Sequence, residues 1–280
     1  MTQDEMDNLI IPPHMWRRQE DETSDQRIQN EHHIILDILA EAVEATRLSK
    51  GESAWNAQVH YPLLKLAFSQ FPLLRPETIT NAQIVKDFRP RSNSFASSSA
   101  SASSSSLLSG DSSRWTETLS SSAHKMVDFA LALIPDAGLQ TKMDCFLRTQ
   151  QHETINQTMY TALTKRPAPL FIETKTMSGS GTRSQVQLGI WVASWFQRLR
   201  AVGSAKEAIP VPLIQVSGNT WHVIFASDEN DKVTLVDQTI RIGDTASMVG
   251  MYQLMAALRV IGKWADTEFR AWMTEFLDSI

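Results

Sequence analysis

The sequence predicts an α/β fold with one central mixed sheet flanked by helices, and with extra helices at both ends. Three observations carry this. Two short apolar runs, Met126–Ile134 and Leu170–Lys175, are separated by a segment of helical periodicity. A hairpin signal lies in Pro212–Val216 and Trp221–Ala226, joined by Ser217-Gly218-Asn219-Thr220. Segments of helical spacing precede and follow these strands, an order that suits helices packed on a sheet.

The elements follow in chain order. Residues 1–30 are polar, carry the Pro12-Pro13 pair and read as a flexible arm. From Glu31, the residues Ile34, Ile35, Ile38, Leu39, Ala42 and Val43 recur at helical spacing to about Leu48, and Gly51 is the expected stop. A second helix is expected over 52–71, with Trp55, Val59, Leu63, Leu66 and Phe68 apolar and Pro62 as a kink. Residues 83–88 suit a short strand.

Residues 92–122 form a Ser-rich insertion. Thirteen of the 22 residues from 92 to 113 are serine, too few apolar groups to offset the entropy of ordering. The insertion interrupts a single domain over 31–280 without dividing it, because long surface loops add little closure entropy.

After the strand at 126–134, residues 143–164 suit a helix through Leu147, Ile155, Met159 and Leu163. The strand 170–175 follows, then a turn at Gly179 and Gly181 and a helix over 184–202. After the hairpin, a third strand is expected at 232–236. Residues 246–276 read as helical, with Gly262 separating two helices.

Composition excludes several classes. The 280 residues include one cysteine, Cys145, so neither an intrachain disulfide framework nor a cysteine zinc cluster can form. No apolar run is long enough to span a membrane, and the acidic start Met1-Thr2-Gln3-Asp4-Glu5 lacks the features of a signal peptide. A cytoplasmic or nuclear location is expected. Of the net charge of −5, residues 1–50 carry −6 and the remainder +1. A body near neutrality does not advertise a broad surface for duplex DNA or RNA.

The chemistry-bearing feature is an acid in each of two apolar strands. Asp128 and Glu173 would each be costly to bury alone. Side chains alternate along a strand, so Glu173 and Lys175 share a face. With Asp128 on the neighbouring strand the three converge, and the two carboxylates then need a cation or a shared proton. Hard oxygen ligands suit Mg2+ or Mn2+. Lys175 would orient or help deprotonate a water and stabilise developing negative charge. The plainer alternative is an edge salt bridge between Glu173 and Lys175, with Asp128 capping a turn.

Met126-Val127-Asp128-Phe129 and Ile172-Glu173-Thr174-Lys175 resemble the Asp and Glu-x-Lys motifs of the PD-(D/E)XK nuclease superfamily. More closely, the chain resembles a fungal group of nuclease-like proteins in it. The likeness runs through Trp55–Leu64, Met126–Leu133, Asn156–Tyr160, Ile172–Lys175, Val186–Trp195 and Ile242–Trp272. The resemblance implies a restriction-endonuclease-like core, with Asp128 and Glu173 as metal ligands and Lys175 as the catalytic lysine. Gln187 resembles the polar residue that many members place on the helix after the Glu-x-Lys strand. Glu52 resembles an acid that some members supply from the first core helix, which would make it a third metal ligand. The chain departs from the pattern in placing Val127, not proline, before Asp128, and in the 45-residue separation of the two acids.

The resemblance implies a metal-dependent nuclease. Folds host unrelated functions, and the alternative is a repurposed enzyme of fungal secondary metabolism that acts on a small molecule. Its acids would work in an aromatic-lined pocket, which eight tryptophans in the chain would allow. A non-catalytic binding protein is a third reading. Among other residues, Trp191, Trp195, Trp221, Trp264 and Trp272 read as core, His60 as a candidate lining residue, and Ser178-Gly179-Ser180-Gly181 as a turn. The C-terminal aromatics Phe269 and Phe276 would bury within the chain or in a homodimer.

Overall fold

The computed structural model describes residues 22–90, 127–204, 206–229, 232–236 and 240–280. The Ser-rich insertion and the first 21 residues lie outside the described residues. The chain divides into two compact units, Met1–Asp37 and Ile38–Ile280, and the sheet and all the candidate site residues lie in the second.

Helix α1 spans Glu22–Arg47, so residues 22–30 of the expected arm are helical. Within the second unit, Ile38, Ala42 and Ala45 are its buried positions, one stripe of a helical wheel. Gly51 is not the stop. Ser49 takes the left-handed conformation (φ 49°), and Lys50 N–H reaches back to the Ala45 carbonyl at 2.9 Å. Gly51 is extended and precedes the next helix.

That helix is built in three parts: α2 (Glu52–Trp55), a widened π-turn (Asn56–His60) and α3 (Tyr61–Phe68). Pro62 accounts for the widening. It has no N–H, and its ring would strike the Gln58 carbonyl in a regular helix. The extra residue per turn relieves the clash, and Tyr61 N–H bonds the Asn56 carbonyl five residues back. The helical run continues through Pro62 to Phe68.

The sheet has seven strands: β1 (Leu74–Thr78), β2 (Phe129–Leu133), β3 (Leu170–Lys175), β4 (Val211–Ser217), β5 (Thr220–Glu229), β6 (Lys232–Leu235) and β7 (Ile240–Asp244). The order is β1-β2-β3-β4-β5-β6, with β7 also paired to β5. Only β3 and β4 are parallel neighbours; the other pairs are antiparallel, so the sheet is mixed. Helix α5 (Gly181–Val202) connects the parallel pair, as a parallel connection requires. The hairpin forms as expected, with Ser217 opposite Thr220 and Gly218 at φ 55°.

Two strands were not expected. β1 contains Pro76, which reads as a breaker, but β1 is an edge strand paired only with β2, where a missing N–H is tolerated. β7, Ile240-Arg241-Ile242-Gly243-Asp244, is short, exposed at its start and buried at its end. Conversely, residues 83–88 form no strand. Ile84 makes one isolated bridge to Thr158, and Lys86–Phe88 is a 3-10 turn.

The helix expected at 143–164 lies earlier. Helix α4 is Ala137–Arg148, capped by Asp136, whose carboxylate accepts from Leu139 N–H at 2.9 Å. Residues 149–169 form no regular helix, although Thr154, Asn156, Gln157 and Thr158 are fully buried. Side chains satisfy this backbone instead of helical bonds. Asn156 Nδ2 donates to the carbonyls of Leu163 (2.6 Å) and Arg166 (2.8 Å), and Asn156 Oδ1 accepts from Ala168 N–H.

Helices cover both faces of the sheet. On one, Phe171 meets Trp191 of α5 edge-on at 5.9 Å. On the other, Trp221 of β5 meets His60 edge-on at 5.4 Å. Helix α6 (Met248–Trp264) continues through Gly262, which packs against Phe71 rather than breaking the helix. A π-turn (Ala265–Phe269) and helix α7 (Arg270–Asp278) follow. Phe269, Trp272 and Phe276 bury within the chain, with Phe269 and Trp272 beside Trp195. Among the described residues, no helix is long and apolar enough to cross a membrane.

Candidate active site

The site forms where β2 and β3 part. The register pairs Phe129 with Ile172, which sets Asp128 opposite Glu173. Asp128 N–H still donates to the Ile172 carbonyl at 3.0 Å, and the Asp128 carbonyl accepts from Ile79 N–H at 2.8 Å. Beyond that point the side chain replaces the ladder: Thr174 N–H donates to Asp128 Oδ2 at 3.0 Å. Asp128 therefore stands immediately before β2, its backbone held on both sides and its carboxylate in the fork between the strands.

Glu173 and Lys175 share one face of β3, as alternation requires. Glu173 is 1% exposed. Its Oε1 accepts from Lys175 Nζ, and its Oε2 has no hydrogen-bond partner among the described residues. Burial first, and then the neighbouring Asp128 charge, push the Glu173 carboxyl up from the ordinary 4.5 to about 8, against the pull of Lys175. Lys175 Nζ donates further to the Thr174 carbonyl at 2.9 Å and to Glu52 Oε2 at 3.4 Å. The salt bridge of the plainer reading is present, and so is the convergence of Asp128, Glu173 and Lys175.

Glu52, the first residue of α2, joins the site through Lys175. Among the described residues, no three acidic, histidine or cysteine side chains are grouped to hold a metal ion. Gln187 is buried on α5, one turn before Trp191. Trp191 packs on Phe171, and Phe171 and Glu173 share a face, so Gln187 lies on the stripe turned towards that face. Gln215 stands opposite Glu173 in β4 and donates to the Gly181 carbonyl at 2.8 Å, fixing the start of α5 beside the site. Ser180 caps that helix, so the Ser-Gly-Ser-Gly segment is a turn and helix start.

Two residues that sequence reading did not single out complete the site. Thr174 Oγ1 lies 2.8 Å from Asp128 Oδ2 and 2.8 Å from Asn56 Oδ1. Asn56 Oδ1 is also 2.9 Å from His60 Nδ1. The π-turn thus presents Asn56 and His60 to the underside of the Glu-x-Lys strand. Trp55 stacks on the His60 ring at 5.6 Å. Burial lowers His60 from 6.5 to about 4, while the Gly218 backbone and Glu52 pull the other way, so the imidazole is neutral at pH 7. The spacing of Asn56 and His60, four residues apart before a proline, was the available signal.

Residues 2–270 match the family model of the PD-(D/E)XK nuclease superfamily. The chain belongs to this superfamily. No curated protein and no solved structure matches it. Its mixed sheet flanked by helices is the restriction-endonuclease-like arrangement.

Proposed function

We propose that the protein is a metal-dependent phosphodiesterase of the nuclease type, with Asp128 and Glu173 as ligands for Mg2+ or Mn2+. One observation carries the reading. Glu173 is buried beside a second carboxylate, its ionisation is opposed by both, and its Oε2 lacks a partner among the described residues. A dication beside that oxygen would satisfy it and offset the repulsion. The hard oxygen donors suit these ions. When bound, the metal would activate a water and withdraw charge from the phosphate.

The chain's own groups divide the remaining work. Asp128 is held by Thr174, which fixes its carboxylate for binding. Glu173 would lose its proton to solvent where a cation is held beside it. Lys175 donates to the negative charge that grows on the phosphate as water oxygen attacks phosphorus and the P–O bond to the leaving alcohol breaks. Its three hydrogens already serve Glu173, Thr174 and Glu52, and the bond to Glu52 is the weakest of the three in geometry. Glu52 is the partner released to substrate. Gln187 would orient the phosphate or the attacking water.

The small-molecule alternative expects an enclosed, aromatic-walled pocket; Trp191, Trp195 and Trp221 are fully buried as packing residues and line none among the described residues.

Calorimetric titration with Mn2+ at pH 7, repeated in two buffers of different ionisation enthalpy, tests the metal site. Wild type should bind Mn2+ and release close to one proton, and Glu173→Gln should do neither. Equal binding by both proteins would reject Glu173 as a ligand.

A further inference from the structure

An open recess of about 570 Å3 lies between the first core helix and the β1 edge, on the sheet face that Phe129 shares with Ile172 and Thr174 and opposite Glu173 and Lys175. Asn56, Tyr61 and Phe129 line it, with Ser53, Thr80 and Asn81 at its polar edge. Two of these directly follow site residues, Ser53 after Glu52 and Phe129 after Asp128. Asn56 is joined to Asp128 through the Thr174 hydroxyl.

The lining has a definite chemistry. It holds no charged side chain, so it offers no counter-ion to a phosphate. Tyr61 and Phe129 stack nearly parallel, 6.3 Å apart at 11°. Asn56 is 93% buried, and its oxygen is occupied by His60 and Thr174. Its NH2 makes no hydrogen bond among the described residues and is a donor committed to the recess. A second recess of about 430 Å3 shares Tyr61 and carries Lys65 and Arg75, both exposed. Neither has an acidic partner among the described residues; Lys65 Nζ lies 5.9 Å over the Tyr61 ring.

We propose that the neutral recess binds one unpaired nucleobase of a single-stranded nucleic acid, whose backbone passes the Asp128 end of β2 to the phosphodiester held at Asp128, Glu173 and Lys175. This rests on the nuclease reading and names its substrate. A planar heteroaromatic ring carries the carbonyl or ring-nitrogen acceptors that the Asn56 NH2 lacks, and it has a π-face for Tyr61. Lys65 and Arg75 follow along the groove, where the next phosphate would run. A paired base could not enter, so the strand must be single or locally opened.

The test uses single-stranded oligonucleotides with one 2-aminopurine walked along the sequence, mixed with the full chain in EDTA. Without metal no hydrolysis occurs, so the result is independent of the metal site. Binding should quench 2-aminopurine at one position and leave the others bright. Tyr61→Ala should weaken binding roughly 5- to 100-fold, from the loss of one stacking contact, while Tyr61→Phe keeps it. Ala57→Leu fills the recess from an exposed position without removing packing, and should abolish the quench in a protein that melts like wild type. Uniform fluorescence along the strand, a quench that survives Ala57→Leu, or no binding by wild type would overturn the proposal. Cleavage in Mn2+ without a position-specific quench would reject the recess and leave the nuclease reading. The quench without cleavage would do the reverse.

Discussion

The hydroxyl of Thr174 lies 2.8 Å from the Asp128 carboxylate and 2.8 Å from the Asn56 amide oxygen. The middle residue of the Glu-x-Lys strand therefore ties one acid of the site to the first core helix. Its backbone N–H bonds the same carboxylate oxygen, and its one hydroxyl hydrogen is shared between that oxygen and Asn56. Replacing Thr174 with Val removes the hydroxyl and keeps the shape. We expect a stability loss of about 1–3 kcal/mol from the buried acceptors left behind. Activity or metal affinity should fall by about 10- to 100-fold, as for other residues that orient metal ligands. Thr174→Ser should recover most of both. Chemical denaturation and metal titration on the three proteins check this.

The raised Glu173 carboxyl makes stability depend on pH in a stated direction. In the unfolded chain this group ionises near 4.5; in the folded chain it holds its proton to about 8. Between these values the unfolded state is the more ionised, so this group's contribution falls as pH rises and levels off above 8. Glu173→Gln removes the titration. Thermal melts without metal should place the variant above wild type at pH 8, with a smaller gap at pH 5. Parallel curves would mean that Glu173 titrates normally.

Lys175 favours ionisation of Glu173, limiting the rise of its carboxyl pKa, and in the proposed reaction it would supply positive charge to the phosphate. Lys175→Met should lower the cleavage rate by about 100-fold or more, on the scale of removing a charged transition-state donor. Without the ammonium the Glu173 carboxyl rises further, so the pH at which Mn2+ loads should move upwards. A rate loss with an unchanged loading pH would separate these two roles. Calorimetric titration across pH and single-turnover rates measure them independently.

Gly262 is a packing residue within a continuous helix. A Cβ there would meet Phe71 Cε2 at 2.5 Å and Phe68 Cδ1 at 3.1 Å. Gly262→Ala should destabilise the fold by about 1–3 kcal/mol through overpacking. Cleavage below the melting transition should be unchanged, because the residue touches none of the site groups. A melting curve and a rate measurement suffice.

Residues with strong local rules were readable from sequence. The apolar runs of β2 and β3 could be assigned as strands, and alternation alone put Glu173 and Lys175 on one face. Gly218 marked the hairpin because its positive φ is costly for other residues. The misreadings came where tertiary contacts override local preference. Pro76 is tolerated because β1 is an edge strand. Leu147, Ile155 and Leu163 mimic a helical stripe, but Asn156 takes up the backbone bonds that a helix would need. Ser49, not Gly51, adopts the left-handed turn after α1. Asn56 reaches the site through a π-turn forced by Pro62, a rotation that no regular 3.6-residue period reproduces.

The central claim is hydrolysis of a phosphodiester at Glu173 with a divalent ion. The most direct measurement is single-turnover cleavage of end-labelled single-stranded and duplex DNA and RNA in Mn2+, Mg2+ or EDTA, by wild type and by Glu173→Gln of verified fold. The account predicts wild-type cleavage with metal, none in EDTA, and none by the variant under any condition. Undiminished cleavage by Glu173→Gln, or no cleavage by wild type with either metal on any of these substrates, would contradict it.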